Sequence, residues 1–177
     1  MTASGNWWSE VEGPTVLQGD LLPRCLVPAF SPDYGRAVDP VHAVPVAEAN
    51  CIVLSQSCDL EQLKVRFVAL CPVFTLSELQ ENNRKYKEAS ALEEIRKGRV
   101  HLLHMIAGPD DASDNKRCRV VYFDQIYSLP IAYVTGHAAL LGRRSRLNSP
   151  YLEHLSQAFA RFFMRVGLPS AIAPFRS

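Results

Sequence analysis

Two apolar runs organise the middle of the chain, and they differ in kind. "CIVL", residues 51–54, is continuous and β-branched and ends in small polar residues, the pattern of a buried strand entering a loop. "KVRFVALCPV" alternates first and then becomes wholly apolar, which predicts a second strand over 65–73. "DLEQLK" between them reads as a hairpin loop. Upstream, Gly19-Asp20 marks a turn before a short strand near 20–27. Pro23 and Pro28 interrupt it, and proline lacks the ladder donor, so this strand belongs at an edge or carries a bulge. Residues 31–43 read as a loop, with turn chemistry at Pro32-Asp33 and Asp39-Pro40. Further on, "RVHLLHMI" predicts a strand over 99–106. "CRVVYFDQIYSLP" predicts a long aromatic-rich strand ending at Pro130.

Helical spacing appears twice. Thr75-x-x-Glu78 is a capping box, in which each residue satisfies the other's free amide. "ENNRK" then splits the segment, and Tyr86 to Lys97 resumes with Ala89, Leu92 and Ile95 on one face and Gly98 as terminator. The last segment has Ser149 as N-cap and Pro150 at the first helical position. Leu152, Leu155, Phe159, Phe162, Phe163 and Val166 follow on one face, with Glu153, Gln157, Arg161 and Arg165 opposite. Strands grouped in hairpins predict an α+β fold: a small antiparallel sheet or partly open SH3-like barrel, with a helical insertion at 75–97 and a C-terminal amphipathic helix. One domain over 1–177 is expected. Residues 1–15 read as a flexible arm, which Trp7 and Trp8 either anchor to the body or offer to a partner.

Composition adds a bound. With 177 residues, 47% hydrophobic and a net charge of +1, the chain has ordinary globular character and no overall field directed at nucleic acid or membrane. The charge is uneven: residues 1–60 hold seven acids against two bases, and residues 140–177 six bases against one acid. Mutual attraction of these halves is the first expectation. No apolar run approaches the roughly 18 residues of a bilayer span. The N-terminal stretch has neither basic flank nor apolar core, and five irregularly spaced cysteines suggest reduced thiols, so a cytoplasmic protein is expected. No CxxC pair, P-loop, GxGxxG, GxSxG or HExxH occurs, and neither metal nor cofactor is expected.

The chemistry-bearing stretch is Ser55-Gln56-Ser57-Cys58-Asp59, at the end of the first apolar run. A rigid strand end fixes a side chain and still exposes it. Cys58 is a nucleophile type, yet a carboxylate beside it works against the thiolate unless a cation outweighs it. Were the strand to continue, Gln56 and Cys58 would share one face and Ser57 and Asp59 the other. The alternative is a small polar loop with Cys58 packed and Asp59 bracing a turn. Five histidines, His42, His101, His104, His137 and His154, are possible partners. His101 and His104 lie three apart in a predicted strand and so should face opposite ways. The candidate catalytic set is Cys58 and Asp59, with Asp20 and His104 in support. Candidate binding residues are Ser55, Gln56, Trp7, Trp8 and the basic cluster Arg143, Arg144 and Arg146 in "GRRSR", read as a solvated loop able to meet phosphates.

"GDLL", "IVLSQSCDL", "VALCPV", "VVYFDQIYSLP" and "HLSQAFARFFMRVGLP" occur here in that order. The order resembles a group of uncharacterised bacterial proteins with the pattern GD, apolar run, S-(H/Q)-x-C-D, A-P-V. The Gly19-Asp20 opening and short-stranded body also resemble the SH3-like barrels of PemK/MazF-type toxins, a resemblance that implies RNA cleavage or protein pairing. The chain departs from that family in its longer strands, in the helical insertion after Val73 and in lacking a matching catalytic arginine. Two function classes follow. The first is a binding or regulatory module for a protein or nucleic-acid partner, within a toxin or defence system. The second is a small hydrolase- or nuclease-like enzyme centred on Cys58 and Asp59.

Overall fold

Proline and register decide where the sheet begins. A computed structural model describes residues 6–30 and 44–164. The turns expected over 31–43, together with His42, Arg165 and Val166, lie outside the described residues. The strands are β1 (Trp8–Glu12), β2 (Leu21–Pro28), β3 (Val46–Val53), β4 (Phe67–Thr75), β5 (Leu103–Ile106), β6 (Arg119–Tyr122), β7 (Tyr127–Pro130) and β8 (Arg143–Leu147). The α-helices are α1 (Ser57–Glu61), α2 (Leu76–Asn82), α3 (Ala89–Arg96), α4 (Ile131–Leu141) and α5 (Tyr151–Phe163). The fold is α+β, and every strand pair is antiparallel. One sheet runs β2-β3-β4-β6-β5, with β7 also on β4, and β1-β8 is a separate ribbon. The sheets do not close into a barrel.

β2 is both an edge strand and a bulged one. One extra residue enters it between Leu22 and Cys25, and Arg24 there has φ +53°. Pro23 forfeits a donor at this point, and the Arg24 amide donates instead to the Asn50 side chain.

The apolar runs of β3 and β4 are continuous because both of their faces are covered. Cys51, Val53, Val68 and Leu70 join the core under α4, which contributes Val134 and Ala138. Ile52, Leu54, Cys71 and Val73 join the opposite core, which α5 closes with Leu155. A third, smaller cluster packs Leu79 and Ile95 of the helical insertion on Leu103 and Val120.

Several boundaries differ from those the sequence predicts. The hairpin loop after β3 is a short helix, α1, so the alternation expected for Gln56 to Asp59 does not occur. The strand over 99–106 contracts to Leu103–Ile106, and the long aromatic strand breaks into β6 and β7. α5 starts at Tyr151 with Pro150 in the cap position and no side-chain cap from Ser149. Of its three phenylalanines, Phe163 is 58% exposed and does not join the core. The arm expected to be flexible contains β1. Trp8 is buried and donates its indole NH to the Ala107 carbonyl, and Trp7 stacks on Tyr151 at 3.5 Å. The two tryptophans therefore anchor the arm, Trp8 buried and Trp7 half-buried against Tyr151. The capping box at Thr75 and Glu78 forms as expected, and Gly98, at φ +68°, closes α3. There the Gly98 and Arg99 amides donate to the Ile95 and Glu94 carbonyls.

Candidate functional site

The acidic start and basic end of the chain meet in space. β1 and β8 pair with Glu12 opposite Arg143 and Val11 opposite Arg144. "GRRSR" is thus a strand where a solvated loop was expected, because each arginine finds a carboxylate partner, on β1 or at Asp20. Arg143 pairs with Glu10 and Glu12 at the surface. Arg144 and Arg146 converge on one carboxylate, Asp20, which is fully buried. Arg144 Nε donates to Asp20 Oδ2 at 2.8 Å, and its other nitrogens donate to the Gly13 and Thr15 carbonyls. Arg146 grips both Asp20 oxygens. Asp20 is therefore occupied as the counter-ion of two guanidiniums. Buried charge demands such pairing, since an unpaired ion inside costs several kcal/mol.

Cys58 and Asp59 lie elsewhere, on the outer side of α1. Cys58 is exposed, and its Sγ sits 3.7 Å from Asp59 Oδ1. Neither residue lines a described cavity. Ser55 and Ser57 are structural acceptors: Ser55 Oγ takes the Ala69 amide at 2.9 Å, and Ser57 Oγ takes the Gln18 amide at 3.2 Å. Gln56 is exposed and caps α1 through its backbone. The polar pentapeptide thus ends β3, starts α1 and ties the Gln18 turn to β4, with Asp20 and His104 held by other elements.

The remaining thiols behave differently. Burial pushes Cys71 up to about 12, and a hydrogen bond with Cys25 plus burial drives Cys51 well above the usual thiol range. Both stay protonated and inert at neutral pH. Iodoacetamide should therefore alkylate Cys58 in the folded protein at least about tenfold faster than Cys51 or Cys71. Peptide mapping by mass spectrometry reads this, and equal labelling would contradict the burial.

His104 lies on β5 with its ring stacked 6.3 Å from Phe123. Burial first, then His154 and Arg161, holds its imidazole down to about 4. His101 falls in the turn before β5, so His101 and His104 open onto one cavity and not onto opposite faces. Among the described residues no group of three His, Cys, Asp or Glu side chains is placed to hold a metal. No helix among them is long and apolar enough to cross a membrane.

A concavity of about 1020 Å³ had no signature in the sequence. It lies where β3 parts from β4. β4 pairs only with Cys51, Ile52 and Val53, whereas β3 begins at Val46. On its other side β3 pairs with β2, and the Ala29 amide donates to the Pro45 carbonyl. Alternation from that bond turns the amides and carbonyls of Val46 and Glu48 away from β2, toward the groove. Among the described residues this edge has no strand partner. Ala47, Ala49, Phe74 and Ile126 supply apolar wall, while Glu48, Glu78 and Asp124 oppose a single cation, Arg24. Comparison with known proteins adds no further constraint: no family model, curated protein or solved structure matches the chain.

Proposed function

We propose that the protein is a binding module that accepts an extended, basic segment of a protein partner along the open edge of β3. The observation that carries this reading is the unpaired half of β3 beside a groove of about 1020 Å³. An added strand gains main-chain hydrogen bonds from such an edge, and neighbouring side chains set its specificity. Small-molecule sites usually fall at about 300–1,000 Å³, so a groove of this size suits a chain segment. Its acids Glu48, Glu78 and Asp124 favour Lys or Arg on the partner and repel a phosphate backbone. The nucleic-acid alternative also loses its cations, since Arg143, Arg144 and Arg146 are engaged by Glu10, Glu12 and Asp20. An SH3-like ancestry for the sheet, and a cytoplasmic role in a bacterial toxin or defence system, belong to the same proposal and rest on the sequence resemblance.

A short peptide alternating Lys and Val is the direct probe, followed by amide NMR. Saturable shifts are expected at Val46, Glu48 and Asn50. Glu48→Lys with Asp124→Lys should weaken binding by about tenfold or more, the cost of two lost attractions. The reading fails if a peptide alternating Glu and Val binds as well, or if neither moves the β3 amides.

A further inference from the structure

A second cavity, of about 220 Å³, lies between the end of α3, β5 and α5. Its chargeable lining is of one sign: Arg96, Lys97, His101, His104, His154 and Arg161, with no carboxylate among the residues that face it. Glu93, on the same helix as Arg96, is taken by Arg96 and Lys97. Arg161, on α5, makes no ion pair among the described residues. At the end of α3 the Ile95 and Glu94 carbonyls accept the Gly98 and Arg99 amides. The rest of the wall is apolar, with Leu103, Met105 and Phe123.

His104 is the inner member of this set. No buried side-chain nitrogen or oxygen of the described residues lacks a partner, and the His104 ring makes no hydrogen bond to a described residue, so its nitrogens are accessible where the ring lines the cavity. The same positive surroundings, from His154 and Arg161, act with burial to keep it neutral. A field that opposes a proton attracts an anion. An arginine supplies the planar donor fork suited to phosphate.

We propose that this cavity binds a phosphate monoester, its dianion held by Arg161, His154 and His104 and its small organic group laid against Met105 and Phe123. The volume is below the usual range of drug-sized sites, which restricts the organic part to a small group. Bound dianion supplies the missing negative charge, so His104 takes up a proton more readily when the site is filled. At the α3 end, Arg96 and Lys97 share the single Glu93 carboxylate, which leaves one positive charge there.

The test is an NMR titration of the histidine ring signals with phenyl phosphate and with inorganic phosphate, each at ionic strength matched by sodium chloride. Phenyl phosphate is expected to saturate, to shift the His104 titration to higher pH and to bind more tightly than inorganic phosphate. Arg161→Gln, a change at an exposed side chain, should weaken binding at least about tenfold, the loss of one charge-assisted contact. His154→Gln should weaken it less, and unliganded melting curves of both variants should match the parent. Tighter binding of inorganic phosphate would restrict the site to the free ion and overturn the monoester assignment. The absence of any saturable His104 shift, or unchanged affinity in both variants, would overturn the site altogether. None of these results depends on the β3 groove, so the two readings stand or fall separately.

Discussion

Asp20→Ala is expected to destabilise the protein by about 3–5 kcal/mol, enough to unfold a domain of ordinary stability. Asp20 is fully buried, and the Arg144 side chain is as well. Removing the carboxylate leaves one guanidinium sealed in the interior with only the Gly13 and Thr15 carbonyls. It also frees Arg146, whose side chain is 22% exposed and so can turn outward. The cost is therefore concentrated on Arg144 and not spread over both arginines. Two segments meet at this carboxylate: the Leu17 turn, whose amide donates to Oδ2, and β8 through Arg144 and Arg146. Loss of the charge should loosen the ribbon from the sheet. Urea unfolding followed by tryptophan fluorescence measures this, because Trp8 sits in the ribbon and reports its release. Arg143→Gln is the matched comparison. Its partners Glu10 and Glu12 are exposed, and it should cost under about 1 kcal/mol. A loss below about 1 kcal/mol in Asp20→Ala would mean that the pair does not hold the two parts together, and would reopen a chemical role for Asp20.

Some of this arrangement was legible in the sequence, and physics says which part. Local signals survive: Thr75 and Glu78 cap α2, Gly98 ends α3, and Pro23 marks a bulged edge strand. Each depends on a few adjacent residues. The β1-β8 ribbon was not legible, because its register joins Trp8 to Leu147 and Glu12 to Arg143 across most of the chain. Neither strand reads as a plain apolar–polar alternation, since ion pairs occupy both faces of the ribbon: Arg143 with Glu10 and Glu12 on one, Arg144 and Arg146 with Asp20 on the other. The opposite charges of the two ends were the only trace. α4 escaped for another reason. Its first half, "IAYVTG", holds all three β-branched residues of the segment and Gly136 and follows a strand signal, which hides the helix formers Ala138 to Leu141. Val134 and Ala138, one turn apart and both fully buried, show that packing against the sheet decides it. The spacing of Ile131, Val134, Ala138 and Leu141 after Pro130 was the available clue.

The candidate sites divide in the same way. The pentapeptide 55–59 drew attention because reactive residue types adjoin there, yet their contacts are those of a junction between β3 and α1. The β3 groove has no residue signature because it arises from register: a strand outruns its neighbour's pairing. The cationic cavity collects residues from three elements; His101, His104, His154 and Arg161 each drew notice in the sequence, but nothing there brought them together.

Phe123→Ala tests how α5 is held, and a loss of about 3–5 kcal/mol is expected. Phe123 is 1% exposed and sits just after β6, its amide donating to the Leu102 carbonyl at 2.9 Å. Its ring meets Phe159 at 5.4 Å and Phe162 at 6.1 Å, both on α5. Leu155 is the only fully buried residue of that helix, so Phe123 supplies much of the remaining apolar contact. Truncation leaves a void bounded by two α5 rings and His104, and the exposed Phe163 is not positioned to fill it. The loss should be local before it is global. Amide hydrogen exchange in α5 should rise first, while α4, which packs on the opposite face through Val134 and Ala138, keeps its protection. Uniform loosening of α4 and α5 would instead mean that the two cores unfold as one unit. Because α5 carries His154 and Arg161, the same variant should abolish phosphate monoester binding at concentrations of urea where the sheet is still intact.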